Sequence, residues 1–216
     1  MIRFDEHRQW LPLATTVAIL LLLLLPSPPA DAADSDWSIA VGPVLVPVVS
    51  GDAGAGDLAP GYDDAFDPGV GFDLRVERRL APRVTVVGVT GYQSHSGNHY
   101  EGFSFGDLEV IPVYFAGRYA LVERAAWKVR VGADLGTARL SDVDVAFDTD
   151  RVRYWDASWV VLWGVGGEVV YGRGPLTVSV DFGYRELGSP DTAFGPPSEA
   201  ESSSALPLRF SLRYTF

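Results

Sequence analysis

The residues best suited to chemistry sit in one short stretch, Gln93-Ser94-His95-Ser96-Gly97-Asn98-His99-Tyr100-Glu101, which holds two of the three histidines. Serine, histidine and glutamate can together make an acyl-transfer site: a hydroxyl nucleophile, an imidazole base and a carboxylate that orients it. The spacing works against that use. Ser94 and Ser96 flank His95 directly, so in an extended chain they project to the opposite face. The plainer reading is a polar loop tip. A second candidate is a pair of acidic clusters: Asp63, Asp64 and Asp67, then Asp142, Asp144, Asp148, Asp150 and Asp156. Carboxylate oxygens suit Ca²⁺ or Mg²⁺, yet neither stretch follows the EF-hand spacing, and solvated loops account for both. A third candidate is a set of charges at alternate positions of apolar segments: Asp73, Arg75, Glu77, Arg118, Lys128, Arg130, Asp134, Glu168, Asp181, Arg185, Arg209 and Arg213. These can converge only if their segments are strands that share one interior.

The segments do read as strands. Leu206 to Phe216 is L-P-L-R-F-S-L-R-Y-T-F, with Leu206, Leu208, Phe210, Leu212, Tyr214 and Phe216 alternating with Pro207, Arg209, Ser211, Arg213 and Thr215. A period of two puts the apolar set on one face and the arginines on the other. Seven more segments share the period: Trp37–Val49, Gly69–Glu77, Val84–Gln93, Leu108–Leu121, one starting at Trp127, Trp159–Tyr171 and Leu176–Arg185. The facing of Val84–Gln93, mostly Val and Gly, stays open. An apolar outside and a charged inside suit a wall with lipid around it. The expected fold is all-β: an eight-stranded, antiparallel, up-and-down transmembrane barrel. Extra pairing after the fifth segment would make ten strands.

Connection lengths alternate. Arg78–Arg83, Val122–Ala126 and Gly172–Pro175 are short, whereas 51–68, 93–107, 141–157 and 186–205 are long. Short periplasmic turns and long outer loops characterise membrane barrels. Charge sorts the same way: the four long connections hold 16 acidic and 2 basic residues, net −14. Aromatics fall at strand ends, with Trp37, Trp127 and Tyr171 expected at the periplasmic rim and Trp159 and Tyr184 at the outer rim. An amphipathic ring prefers the headgroup level there. A barrel of eight strands is only just wide enough for side chains to fill. The interior charges must therefore pair, because an isolated buried charge is very costly. Such pairing makes a plug; the other reading is a narrow ion path.

Residues Leu11 to Leu25 form an apolar run behind Arg3 and Arg8, followed by Pro26, Pro28, Pro29 and Ala30-Asp31-Ala32. This describes a secretory signal peptide, residues 1–32, cleaved after Ala32 or, less favourably, Ala33. The run is short for a spanning helix, which needs about 20 apolar residues. Residues 33–216 then form one barrel domain. With no cysteine in the chain, neither a disulfide framework nor a thiol site exists. Those 184 residues carry 25 Asp+Glu against 15 Lys+Arg, which excludes a basic nucleic-acid footprint. No cofactor is expected.

On its terminal strand, Phe210, Leu212, Tyr214 and Phe216, and on its architecture, the chain resembles the small outer-membrane barrels of the OmpA transmembrane-domain, OmpX and OmpW type. In that family the terminal aromatic is read by the assembly machinery, so the resemblance implies that machinery as a partner. It also implies residence in a Gram-negative outer membrane, against lipid and lipopolysaccharide. Small barrels that deacylate or acylate lipid A exist, and the deacylase type resembles His-x-Ser on one strand face; neither His95 nor His99 has that spacing. The expected role is therefore a non-enzymatic barrel presenting acidic loops for envelope integrity, adhesion or surface binding. A narrow channel and a lipid A-modifying enzyme are the alternatives. After Leu135, Val143, Val145 and Phe147 stay on one side while Asp142, Asp144 and Asp148 take the other. The fifth and sixth strands are thus expected to continue as a protruding hairpin with its tip near Thr149–Asp150. An apolar stripe beside a free edge would suit a surface protein partner, or else only pack on neighbouring loops.

Overall fold

A computed structural model describes residues 36–54, 59–124, 126–148, 150–191 and 202–216. The expected signal peptide lies outside the described residues.

The strands, in chain order, are β1 (Trp37–Val46), β2 (Val48–Ser50), β3 (Gly69–Ala81), β4 (Val84–His95), β5 (His99–Tyr100), β6 (Phe103–Phe105), β7 (Leu108–Arg124), β8 (Trp127–Leu140), β9 (Val143–Phe147), β10 (Asp150–Trp155), β11 (Ser158–Gly172), β12 (Leu176–Leu187), β13 (Ser203–Ala205) and β14 (Leu208–Thr215). Eight of them are staves, in the order β11-β8-β7-β4-β3-β1-β14-β12, and the β11–β12 pairing closes the ring. All these pairs are antiparallel. The count is eight: β9 and β10 pair with each other outside the wall.

The period of two explains the wall. Val70, Phe72 and Leu74 on β3 are exposed while Asp73, Arg75 and Glu77 between them are buried. Val161, Trp163 and Val165 on β11 likewise point out, and Val160, Leu162 and Glu168 point in. The facing left open for β4 resolves with Val87 and Val89 inward and Val84 outward. A continuous apolar outer surface on a closed barrel has lipid as its natural surroundings.

Prolines interrupt the wall at one place. Pro47 separates β1 from β2, and Pro207 separates β13 from β14; Leu206 N–H donates to the Pro47 carbonyl oxygen at 3.0 Å. Proline has no N–H to give a ladder, so each long segment breaks into two strands there. The short β11–β12 turn uses Gly172 at φ 145° and Gly174 at φ 78°, backbone that residues with a Cβ rarely adopt.

Outside the wall lies a second sheet, in the order β10-β9-β6-β5. The expected hairpin is there: Asp150 faces Phe147, Val152 faces Val145, and Asp148 turns at φ 53°. The expected free edge beside its stripe is not. β6 pairs with that edge of β9, Phe103 opposite Phe147 and Phe105 opposite Val145. Val143 and Val145 are buried, and only Phe147 of the stripe is exposed. The reason is apolar burial: at roughly 1.5–3 kcal/mol per buried large side chain, the stripe is more stable covered by its own chain.

Candidate functional site: the filled lumen and the loop layer above it

Six staves send charged side chains into the lumen. They are Asp73, Arg75 and Glu77 from β3, Arg118 from β7, Arg130 and Asp134 from β8, Glu168 from β11, Asp181 and Arg185 from β12, and Arg209 and Arg213 from β14. All eleven are at most 8% exposed. They join into one network. Arg213 bonds Glu77 at 2.6 Å and also Glu168; Arg130 bonds the same two carboxylates at 2.9 and 3.3 Å, closing a four-membered ring. Arg75 links Glu168 at 3.2 Å to Asp181 at 3.8 Å. From Asp181 the network passes to Arg118 at 3.6 Å and Arg209 at 2.6 Å. Arg118 reaches Asp134 at 2.7 Å and Arg209 reaches Asp73, while Arg185 closes on Asp134 at 3.3 Å. Arg185 also donates to the Tyr114 hydroxyl at 2.8 Å and lies over its ring.

The local sequence makes room for this. β1 contributes only Ser38, Ala40 and Gly42 inward at the same level, and β4 contributes Thr85, Val87 and Val89. Short side chains there let arginines from β14 cross to β3. Six arginines face five carboxylates, so the buried set carries a formal charge of +1. Removing ions from water costs several kcal/mol each, and only dense pairing offsets it. Lys128 corrects the expectation of twelve interior charges. It has inward parity but lies one residue inside the end of β8, half-buried at the rim, with Nζ 2.7 Å from the Glu123 carboxylate. Parity sets the face of a residue and leaves its depth open.

The outer lumen is apolar. Val87, Val89, Val110, Ala138, Val160 and Leu162 pack into one core with Phe66, Phe105, Val143 and Trp155 from the loops. Trp155 is fully buried, and its indole N–H donates to the Ala53 carbonyl oxygen at 3.0 Å. Its ring lies 5.4 Å from both Tyr62 and Phe66. Burial pushes the Tyr62 and Tyr154 phenols above their ordinary pKa, so both stay neutral donors. Sequence reasoning passed over Tyr62 and Phe66, and read Trp155 only as a strand-favouring residue. The signal was available: bulky aromatics amid Asp63, Asp64, Asp67 and Asp156 have no reason to be in a purely solvated loop.

The chemistry considered at Gln93–Glu101 does not assemble. His95 is buried at the end of β4, and its Nδ1 lies 3.2 Å from the Asp67 carbonyl oxygen, so that nitrogen carries the proton. Among the described residues no serine or carboxylate side chain bonds His95. The acidic clusters do not converge either. Arg153 holds Asp142 at 3.0 Å and Asp144 at 2.6 Å, and Arg151 holds Asp144 at 3.1 Å. Among the described residues no group of three or more His, Cys, Asp or Glu could hold a metal ion.

No protein-family model and no curated protein sequence matches the chain. Solved structures do. Neisserial surface protein A superposes with a TM-score of 0.52 at 16% identity, over 85% of this chain and 99% of that one. A major outer membrane protein from Thermus thermophilus gives 0.51 at 14% identity, over 83% and 99%. Ail, the attachment invasion locus protein of Yersinia pestis, gives 0.50 at 11% identity, over 82% and 97%. The chain has the fold of the small eight-stranded outer-membrane β-barrels. At these identities the likeness is one of fold.

The barrel shows exposed aromatics where strands end. Trp127 and Tyr171 pack at 4.5 Å, and Tyr214 and Phe216 at 5.4 Å, all four exposed. Trp37 lies under Arg78 at 5.2 Å. At the other end, Tyr184 packs 5.7 Å from Trp163 and bonds Ser204 at 2.8 Å, and Trp159 is half-buried. Phe210 and Leu212 continue the exposed row of β14 that ends on Tyr214 and Phe216.

Proposed function

We propose that this protein is a closed, non-enzymatic outer-membrane barrel that holds a folded, acidic loop layer at the cell surface for binding. The observation that carries this reading is the filling of the lumen at two levels. Eleven charged side chains join in one buried network, and an apolar core above it runs without a break into the loops. A conduit has no use for loops whose aromatics pack down into its own mouth. A platform does, because the core fixes the second sheet on the barrel. The net charge of the loops, −14, favours cationic partners or divalent bridging to lipopolysaccharide phosphates.

A narrow ion path draws support from one feature. Within the network, Arg75 Nη2, Arg185 Nε, Arg209 Nη2 and Arg213 Nη1 are buried without a hydrogen-bond partner among the described residues, and buried polar atoms of this kind commonly hold water. A liposome-swelling assay separates the two readings. Proteoliposomes should not swell in small electrolytes, sugars or amino acids above the rate of protein-free vesicles. Solute-dependent swelling would overturn the platform.

A further inference from the structure

The second sheet carries a feature that the closed barrel does not use. Tyr100, Phe103, Phe105, Phe147, Val152 and Tyr154 line an apolar cleft of about 230 Å³, with Pro60 and Arg153 beside them; the Arg153 guanidinium is already held by Asp142 and Asp144. Register explains the apolar part of the lining: Tyr100 faces Phe103, Phe103 faces Phe147, and Val145 faces both Phe105 and Val152, so these side chains share one face of the sheet. Phe103 and Phe147 stack at 5.0 Å, yet both remain exposed, as does Val152. Large apolar groups left open together mark interaction sites.

The turns next to the cleft residues are acidic. Glu101 follows Tyr100 in the β5–β6 turn, Asp148 follows Phe147 in the β9–β10 turn, and Asp150 is the cross-strand partner of Phe147. All three are exposed. Unlike Asp142 and Asp144, which Arg151 and Arg153 neutralise, none of the three has an ion pair among the described residues. Size then narrows the occupant. Sites for whole drug-sized ligands run from roughly 300 to 1,000 Å³, and this cleft is smaller. It suits one bulky side chain of a larger partner.

We infer that this cleft docks a polypeptide segment in which an aromatic or branched aliphatic side chain is flanked by lysine or arginine. The apolar group lies against the stacked rings of Phe103 and Phe147, and the flanking cations meet Glu101, Asp148 and Asp150. The inference rests on the platform reading and names its partner class; solute swelling judges that reading separately, because swelling does not depend on the cleft.

The test uses the full barrel in nanodiscs of uncharged phosphatidylcholine, with three capped peptides of sequence Lys-Lys-Trp-Lys-Lys, Lys-Lys-Ala-Lys-Lys and Glu-Glu-Trp-Glu-Glu. Calorimetry should show the first binding at least tenfold tighter than either of the others. Phe147→Ser should weaken it at least tenfold, as should the triple variant Glu101→Gln/Asp148→Asn/Asp150→Asn, with both proteins still migrating as folded barrels on unboiled gels. Phe103→Ser serves as the second apolar variant should Phe147→Ser fail to fold. Equal binding of the tryptophan and alanine peptides would mean diffuse charge attraction and overturn the site. So would unchanged affinity in the apolar variant, or full competition by a small aromatic ammonium such as benzyltrimethylammonium, which would assign the cleft to a free organic cation.

Discussion

Glu77 on β3 and Arg213 on β14 meet at 2.6 Å although β1 stands between their strands in the wall. The contact exists because β1 turns only Ser38 and Ala40 inward there. It ties the closing strand to the third stave through the lumen, in addition to the backbone ladder around the rim.

Removal of a shared partner should therefore be severe. Glu168 accepts from Arg75, Arg130 and Arg213. Glu168→Ala leaves three buried cations with fewer partners, and breaking a buried pair costs about 3–5 kcal/mol. Lys128→Ala, at the rim, should cost about 0–1 kcal/mol. Urea midpoints of barrel unfolding in lipid compare the two, and equal losses would contradict the network.

Register predicts a second contrast. Val165 is exposed on the outer side of β11, and its neighbour Gly164 faces in. Arginine on the lipid face at the bilayer midplane costs about 2–4 kcal/mol, so Val165→Arg should lower the unfolding midpoint by a matching amount. A Val165→Arg barrel as stable as the wild type would mean that this surface does not face lipid.

The strands and their facing were legible because lipid outside and charge inside repeat the same alternation on nearly every stave. β4 was the exception: Val84, Val86, Val87 and Val89 give no polar marker for either face. The interior charges could be listed from parity, but their partners could not. Pairing depends on how far each stave is shifted, which is why Lys128 was grouped with residues far deeper than itself. β9 and β10 announced themselves by alternation and the Asp148–Asp150 turn. β5 and β6 did not, since segments of two and three residues are strands only because β9 pairs with β6, and β6 with β5.

The seam between loop and barrel should open at one hydrogen bond. Trp155→Phe keeps an aromatic ring but removes the indole N–H and leaves the Ala53 carbonyl oxygen without its donor, at a cost of about 1–3 kcal/mol for a buried unsatisfied group. Amide exchange should accelerate across 141–156 while the staves stay protected. Unchanged exchange would mean that the loop layer is held by other contacts.

Both described ends of the barrel, Trp37 and Phe216, lie beside each other, Phe216 N–H donating to the Trp37 carbonyl oxygen at 3.1 Å. By the rule that short turns face the periplasm, this end is expected to be periplasmic. Protease added to intact cells should cut in 51–68 or 186–205 and spare 78–83. Phe216→Asp should reduce folded barrel in the membrane far more than Thr215→Asp, because Phe216 closes the exposed row; equal effects would remove the terminal aromatic from assembly.

The central claim is that the lumen is shut by an ion network below and an apolar core above. Single-channel recording of the purified barrel in a planar bilayer tests it most directly. A shut lumen gives a flat baseline with no discrete openings at any holding potential the bilayer tolerates. Stable, stepwise conductance from the heat-modifiable, folded form would contradict it.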